Sequence, residues 1–144
     1  MRLMSSDAIS PAIREMASPW KIGSARMILA PTTIYLVNNA GLAECFELKS
    51  GNTLWKERLP GTGGSGASWS SPVLAGDRLY VPNRNADVFV LRAAPKFELL
   101  AVNSIGGEPM NASLAVSDGD IVIRTAKHLW CIGPHREPNN RPLD

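Results

Sequence analysis

The sequence has few of the residues from which catalytic and metal sites are usually built. Only two of its 144 residues are cysteines and only two are histidines. Two cysteines cannot form a disulfide framework, and no CxxC pair or Cys/His cluster indicates zinc. The composition therefore predicts no catalytic, cofactor-binding or metal-binding residues and no bound cofactor.

Strong charge and long apolar runs are also missing. The net charge is +2 and the basic residues are scattered, which does not indicate a nucleic-acid partner. No apolar run approaches the ~18–20 residues of a membrane span. Residues Met1–Met16 lack the apolar core of a signal peptide. Either the protein stays in the cytoplasm or this chain lacks its true beginning, so the sequence leaves its compartment open.

Short apolar runs repeat along the chain instead. Three segments align, namely Arg26–Leu48, Ser71–Ala93 and Ser113–Gly133. Two sets of positions coincide when the three segments are aligned. The first set is Tyr35, Tyr80 and Val122, and the second is Cys45, Val90 and Cys131. A repeat of roughly 43 residues made of short strands is typical of a propeller blade.

Each unit divides into strands separated by turn residues. The predicted first strands are about Met27–Ala30, Pro72–Ala75 and Leu114–Ser117. Turns follow at Gly76-Asp77 and Asp118-Gly119-Asp120, and again at Asn39–Gly41 and Asn85–Asp87, because these residues tolerate tight turns. Units one and two add an outer strand, Thr53–Leu59 and Lys96–Val102. Pro82 is expected at the last position of its strand or in a bulge.

The predicted fold is all-β, a partial β-propeller of about two and two-thirds four-stranded antiparallel blades. The blades cover residues 26–60, 69–106 and 112–133. Residues 1–25 are expected to be irregular or a short helix that starts at Ser10-Pro11. Residues 134–144 are rich in proline and asparagine and predict a disordered tail.

The segment Glu44–Trp55, ECFELKSGNTLW, resembles the tryptophan-docking motif of pyrroloquinoline-quinone (PQQ)-type propeller repeats. Phe46, Glu47, Gly51 and Trp55 hold the matching places, with Glu47 where aspartate is usual. Gly51 would permit the turn, and Trp55 would seal neighbouring blades with its indole N–H on a backbone acceptor. Unit two has no such tryptophan, so its blade is expected to seal differently.

The run from Ser68 to Gly133 is similar to the C-terminal blades of bacterial, notably planctomycete, PQQ-like propellers. Relatives of that kind include quinoprotein alcohol dehydrogenases and the outer-membrane assembly lipoprotein of the BAM complex, and they are often periplasmic or exported. The resemblance implies a fragment of a seven- or eight-bladed propeller. Its partner would be a protein or the remaining blades.

Gly61–Gly66 matches GxGxxG, and Asp87 follows at the spacing of a dinucleotide site. That site needs a strand before the glycines and a helix after them. Trp69-Ser70-Ser71-Pro72 and a strand pattern follow instead. We interpret the segment as a flexible linker between blades.

The remaining candidates also have structural interpretations. No carboxylate lies at a fixed spacing from His128 or His135, so Lys127-His128 is predicted to be a surface turn and His135 part of the tail. Asp118 and Asp120 fit a turn better than a calcium loop. Cys45 and Cys131, two units apart, should be buried and too distant for a disulfide. Core roles are expected for three of the four tryptophans, with Trp69 the exception, namely Trp20, Trp55 and Trp130.

The sequence thus favours a non-catalytic propeller module that acts as a binding or assembly scaffold. The alternative is part of a PQQ-dependent quinoprotein dehydrogenase whose cofactor site lies in blades outside this chain. A kinase accessory domain is a third possibility that the resemblance alone implies.

Overall fold

The structure is a computed structural model that describes residues 25–61 and 69–134. These residues form β-strands and turns, and none of them is helical. The strands are β1 (Ala25–Leu29), β2 (Thr33–Asn38), β3 (Leu42–Glu47), β4 (Thr53–Arg58), β5 (Val73–Ala75), β6 (Arg78–Pro82), β7 (Asp87–Arg92), β8 (Leu99–Ser104), β9 (Ala115–Ser117), β10 (Asp120–Arg124) and β11 (Leu129–Ile132). Over the same ranges there is no helix long and apolar enough to cross a membrane.

The strands form three antiparallel sheets in which each strand pairs with its neighbour in sequence. Sheet I contains β1–β4, sheet II contains β5–β8, and sheet III contains β9–β11. Two four-stranded sheets followed by a three-stranded one confirm the predicted partial propeller. The short helix and the tail predicted for the two ends lie almost wholly outside the described residues and stay predictions.

Strand register confirms the alignment of the repeats. Tyr35 on β2 lies opposite Cys45 on β3, and Tyr80 on β6 lies opposite Val90 on β7. Val122 and Cys131 face each other in the same way across β10 and β11. Residues directly opposite on antiparallel strands share one face of the sheet. The three pairs therefore occupy equivalent places in their sheets.

Asparagine side chains hold the turns between the second and third strands of sheets I and II. Asn38 Oδ1 accepts hydrogen bonds from the backbone N–H groups of Ala40 and Leu42, at 2.9 and 3.0 Å. Asn83 Oδ1 does the same for Asn85 and Asp87, both at 2.9 Å. The chain reaches positive φ at equivalent points, as predicted for tight turns. These points are Gly41 (φ 74°) and Ala86 (φ 63°).

Pro82 is the last residue of β6, which is one of the two placements expected for it. A proline there does not remove a hydrogen bond from the middle of the sheet. The outer strand of sheet II differs from its prediction, because β8 begins at Leu99 rather than Lys96. The pairing of β7 with β8 shifts between Val90 and Leu91, and Arg92 N–H bonds Glu98 O at 3.0 Å. The residues before Leu99 therefore form a loop.

Candidate functional site

Trp55 seals the joint between sheets I and II. Its side chain is buried, with 9% of the residue exposed, and its Nε1–H donates to Ala94 O of sheet II's loop at 3.1 Å. Its ring meets Phe97 edge-on at 5.2 Å between centroids and lies 6.0 Å from Tyr35. This contact confirms the predicted docking role and its backbone acceptor. The buried residues of the joint are Tyr35, Val37, Ala43, Cys45, Trp55, Leu59, Leu79, Val81, Phe89 and Leu91.

The turn before Trp55 also has the predicted geometry. Gly51 has a φ of 78°, which a residue with a side chain adopts only with strain. Its N–H donates to Glu47 O at 2.8 Å. The Glu47 carboxylate accepts a hydrogen bond from the Ser50 hydroxyl, within the same turn. Glutamate thus takes part in the turn at the position where the resembled motif has aspartate.

The joint between sheets II and III is packed less fully. Register places Trp55 opposite Cys45, and in sheet II it places Ala101 opposite Val90. Alanine therefore stands where the sealing tryptophan stands in sheet I, in line with the prediction that unit two seals differently. A smaller core closes part of this joint. Its buried members are Ala86, Val88, Met110, Leu114 and Ile123.

A cleft of about 680 Å³ remains between sheets II and III. This size falls within the range of small-molecule sites, ~300–1,000 Å³. Its walls are mainly aliphatic and aromatic, with two polar side chains. The lining residues are Tyr80, Val88, Asn103, Ser104, Ile105, Gly106, Ile121, Ile123, Trp130 and Ile132.

A carboxylate from the linker between sheets II and III organises the turn between β10 and β11. Glu108 Oε2 accepts from the Thr125 hydroxyl at 2.7 Å and from Lys127 N–H at 3.2 Å. Glu108 Oε1 lies 2.7 Å from His128 Nδ1. The Thr125 hydroxyl also accepts from Trp130 Nε1 at 3.2 Å. One connected network therefore fixes the linker, the turn and a ring of the cleft wall.

The hydrogen bond from Thr125, with smaller contributions from His128 and the Lys127 N–H, lowers the pKa of Glu108. The sequence shows no carboxylate at a fixed spacing from His128, but in the structure Glu108 orients its ring. Glu108 lies 20 positions away along the chain, so only the packing of the linker brings it close. Lys127 and His128 do lie in an exposed turn. His135 lies outside the described residues.

The two cysteines have different surroundings. Both are free, as expected, but Cys45 is buried and Cys131 is exposed. The prediction of burial was therefore wrong for Cys131. Sheet II covers the face of sheet I that carries Cys45, whereas Cys131 lies on a face of sheet III that no described sheet covers. Burial raises the pKa of Cys45 to about 11.

We expect Cys131 to react quickly with a thiol reagent in the native monomer and Cys45 to react slowly. The thiolate is the reactive species, and Cys45 is both buried and high in pKa. Ellman's reagent at mildly alkaline pH should show one fast thiol, and two in denaturant. The Cys131→Ser variant should lack the fast phase. Two fast thiols in the native protein would mean that sheets I and II do not pack as described.

The tryptophans differ in how far their side chains are exposed. Trp69 is 54% exposed, as expected, and its carbonyl accepts a hydrogen bond from Arg26 Nε at 3.2 Å. Trp130 was expected in the core, but it is exposed along the cleft. Its ring is held by Thr125 and lies 5.7 Å from the His128 ring. Trp20 lies outside the described residues, as do residues 62–66 of the glycine-rich segment.

One face of sheet III is not covered by any of the other described sheets. Ile121 and Ile123 pack toward sheet II, so the alternate residue Val122 faces the other way, together with its cross-strand partner Cys131. Leu129 lies on that outer face and is 73% exposed. The equivalent residues in sheets I and II are Ala43 and Val88, which are 1% and 4% exposed. The same place in the repeat is buried wherever another sheet follows.

Residues 25–61 and 69–134 contain no group of three His, Cys, Asp or Glu side chains arranged to hold a metal ion. Asp118 lies in the β9–β10 turn with a φ of 50°, and a tight turn was predicted at this position.

No protein-family model and no curated protein sequence matches the chain. Solved structures do match. BamB from Moraxella catarrhalis is 12% identical, with a TM-score of 0.61 over 74% of this chain and 32% of BamB. Quinohemoprotein alcohol dehydrogenase from Comamonas testosteroni is 14% identical, with a TM-score of 0.55 over 68% of this chain and 16% of that chain. The chain thus spans a third or less of either neighbour, and its sheets have the fold of consecutive blades in a PQQ-like β-propeller.

Proposed function

We propose that this chain is a non-catalytic PQQ-like propeller module that acts as a binding or assembly scaffold within a longer propeller. The observation that carries the proposal is the face of sheet III that no other described sheet covers. Leu129 is 73% exposed at a place where the two preceding sheets bury their residues almost completely. A further sheet or a partner protein would cover this face, as sheet II covers sheet I.

The neighbouring structures support this proposal at the level of the fold. The chain matches 32% of BamB, which is consistent with a part of a ring rather than a whole one. Known propellers close with 4–8 blades. The bacterial, planctomycete-type character implied by the resemblance belongs to the same proposal.

We expect Leu129→Asp to abolish self-association of the chain. A charge on this face would have to be desolvated when the face is covered, which is costly. Sedimentation of the wild-type chain should give a mass above the 15.5 kDa monomer at tens of micromolar, and the variant should be monomeric. Leu54→Asp is the matched control, because Leu54 is an exposed leucine on the outer strand β4 of sheet I.

If the wild-type chain is monomeric and the dye ANS detects no exposed apolar patch, the outer face of sheet III is not a docking surface. Equal effects of Leu54→Asp and Leu129→Asp would also contradict the proposal, since the association would then not depend on sheet III.

The alternative is part of a PQQ-dependent dehydrogenase, and the likeness to the quinohemoprotein enzyme is its support. Addition of PQQ and Ca²⁺ to a longer propeller that includes this chain separates the two functions, because the alternative places the cofactor site in other blades. A scaffold module leaves the quinone absorbance unchanged, whereas a saturable shift would favour the dehydrogenase.

A further inference from the structure

We propose that the cleft between sheets II and III binds an uncharged aromatic ring of indole size, presented by a partner protein, between Tyr80 and Trp130. This proposal deepens the scaffold role and rests on it, because it names the chemistry that the partner would carry.

The joint between sheets I and II shows what fills this kind of space. There the row Tyr35, Cys45 and Trp55 runs across three strands, and the indole of Trp55 lies 6.0 Å from the Tyr35 ring. The same row in sheet II is Tyr80, Val90 and Ala101. Tyr80 has the place of Tyr35 and lines the cleft, whereas Ala101, which has the place of Trp55, is not among the lining residues. Sheet II thus supplies a methyl group where sheet I supplies an indole that lies beside the tyrosine ring.

Sheet III supplies a second aromatic surface across the cleft. Trp130 lies opposite Ile123 on the face that packs toward sheet II, and its ring is held by the hydrogen bond from Nε1 to Thr125. Aromatic rings attract each other in offset or edge-to-face arrangements with centroids ~4.5–7 Å apart. A ring that enters the cleft can therefore contact Tyr80 on one wall and Trp130 on the other.

The polarity of the walls selects an uncharged ligand. None of the ten lining residues carries a charge at neutral pH. A charged group would lose hydration without gaining an ionic partner there. Asn103 lies opposite Val88 on the face that packs toward sheet III and places an amide on one wall, which can bond the N–H of an indole.

Titration of the ¹⁵N-labelled full chain with indole tests the site. We expect saturable shifts of the Trp130 indole N–H and of the Ile105 and Gly106 amides, with a dissociation constant in the millimolar range that suits so small a ligand. Cyclohexanol, a non-aromatic compound of related size, should shift them much less.

Two variants should remove the site. Ala101→Trp adds an indole to the face of sheet II that carries Tyr80. Because Trp55 lies beside Tyr35 from the equivalent position, we expect this variant to weaken indole binding by about tenfold or more, an effect of ~1.4 kcal/mol. Val102→Trp is its matched control. Val102 pairs with Phe89, on the opposite face of sheet II, and is exposed. Trp130→Leu removes the second ring and decides the matter if Ala101→Trp does not fold.

Several results would overturn the proposal. These are an absence of saturable shifts, equal binding of cyclohexanol, which would indicate an aliphatic occupant, and full indole binding by Trp130→Leu. Loss of the Trp130 signal with rising protein concentration and no ligand would identify a second copy as the occupant. Failure here leaves the Leu129 experiment unaffected, because the outer face of sheet III is a different surface.

Discussion

Trp55→Ala should cost about 3–5 kcal/mol of unfolding free energy, the usual range for removing a large aromatic residue from a core. Trp55 fills the joint between sheets I and II and contacts both Tyr35 and Phe97. Its loss would also leave Ala94 O without the indole donor. A loss of this size is a large part of the total stability of a small domain. Urea unfolding followed by circular dichroism measures it.

Trp69→Ala is the matched control, because Trp69 is half exposed and we expect a change within about 0.5 kcal/mol. Trp55→Phe separates packing from hydrogen bonding. It keeps an aromatic ring but loses the bond to Ala94 O, so it should cost less than Trp55→Ala. Equal costs for Trp55→Ala and Trp69→Ala would show that the indole does not seal the joint.

Asn83→Ala should cost about 2–4 kcal/mol, because three part-buried hydrogen bonds are lost at once. Asn83 is almost fully buried, and its Oδ1 accepts from the N–H groups of Asn85 and Asp87. Its Nδ2 also donates to Asp87 Oδ2 at 2.9 Å. Thermal unfolding should show a clearly lower melting temperature.

Asn85→Ala is the control in the same turn, since Asn85 is exposed and contributes its backbone N–H, which alanine retains. Asn83→Asp tests whether the oxygen or the nitrogen of the side-chain amide contributes more to stability. It keeps an acceptor for the two N–H groups but sets a carboxylate beside Asp87, so it should also destabilise the protein, and less so at acid pH. Wild-type stability in Asn83→Ala would mean that water replaces the amide.

Much of the fold could be predicted from the repeat alone. Tyr35, Tyr80 and Val122 share one period, and the structure places all three at the same position in their sheets. The motif that ends in Trp55 predicted both its burial and its backbone acceptor. The register of Tyr35, Tyr80 and Val122 depends on the neighbouring strands, and the burial of Trp55 depends on the sheet that follows. The repeat predicts the neighbouring strands and, for unit one, the following sheet.

Exposure at the last unit could not be predicted in this way. Cys131 has the same place in the repeat as Cys45, yet only Cys45 is covered. A periodic pattern tells which face a residue occupies, but the burial of that face depends on whether another sheet packs on it. Trp130 was placed in the core for the same reason. A lone unit of the pattern carries no signal that distinguishes these cases.

Glu108 was missed for a different reason. Its contacts with Thr125 and His128 come from an irregular linker folding onto a turn, and linkers follow no period. The cleft could likewise be predicted only in part. The missing tryptophan of unit two was noted, but the size of the cleft depends on how far sheets II and III separate.

Every described strand pairs only with described strands adjacent to it in sequence. Contacts of this kind close short loops, so each sheet can begin to form without waiting for distant parts of the chain. Sheet II then acts as a bridge, since one of its faces packs on sheet I and the other on sheet III. Sheets I and III can therefore unfold together only if sheet II couples them. A destabilising substitution in sheet II would let sheets I and III unfold independently, as in a linear array of repeats in which each repeat contacts only its neighbours.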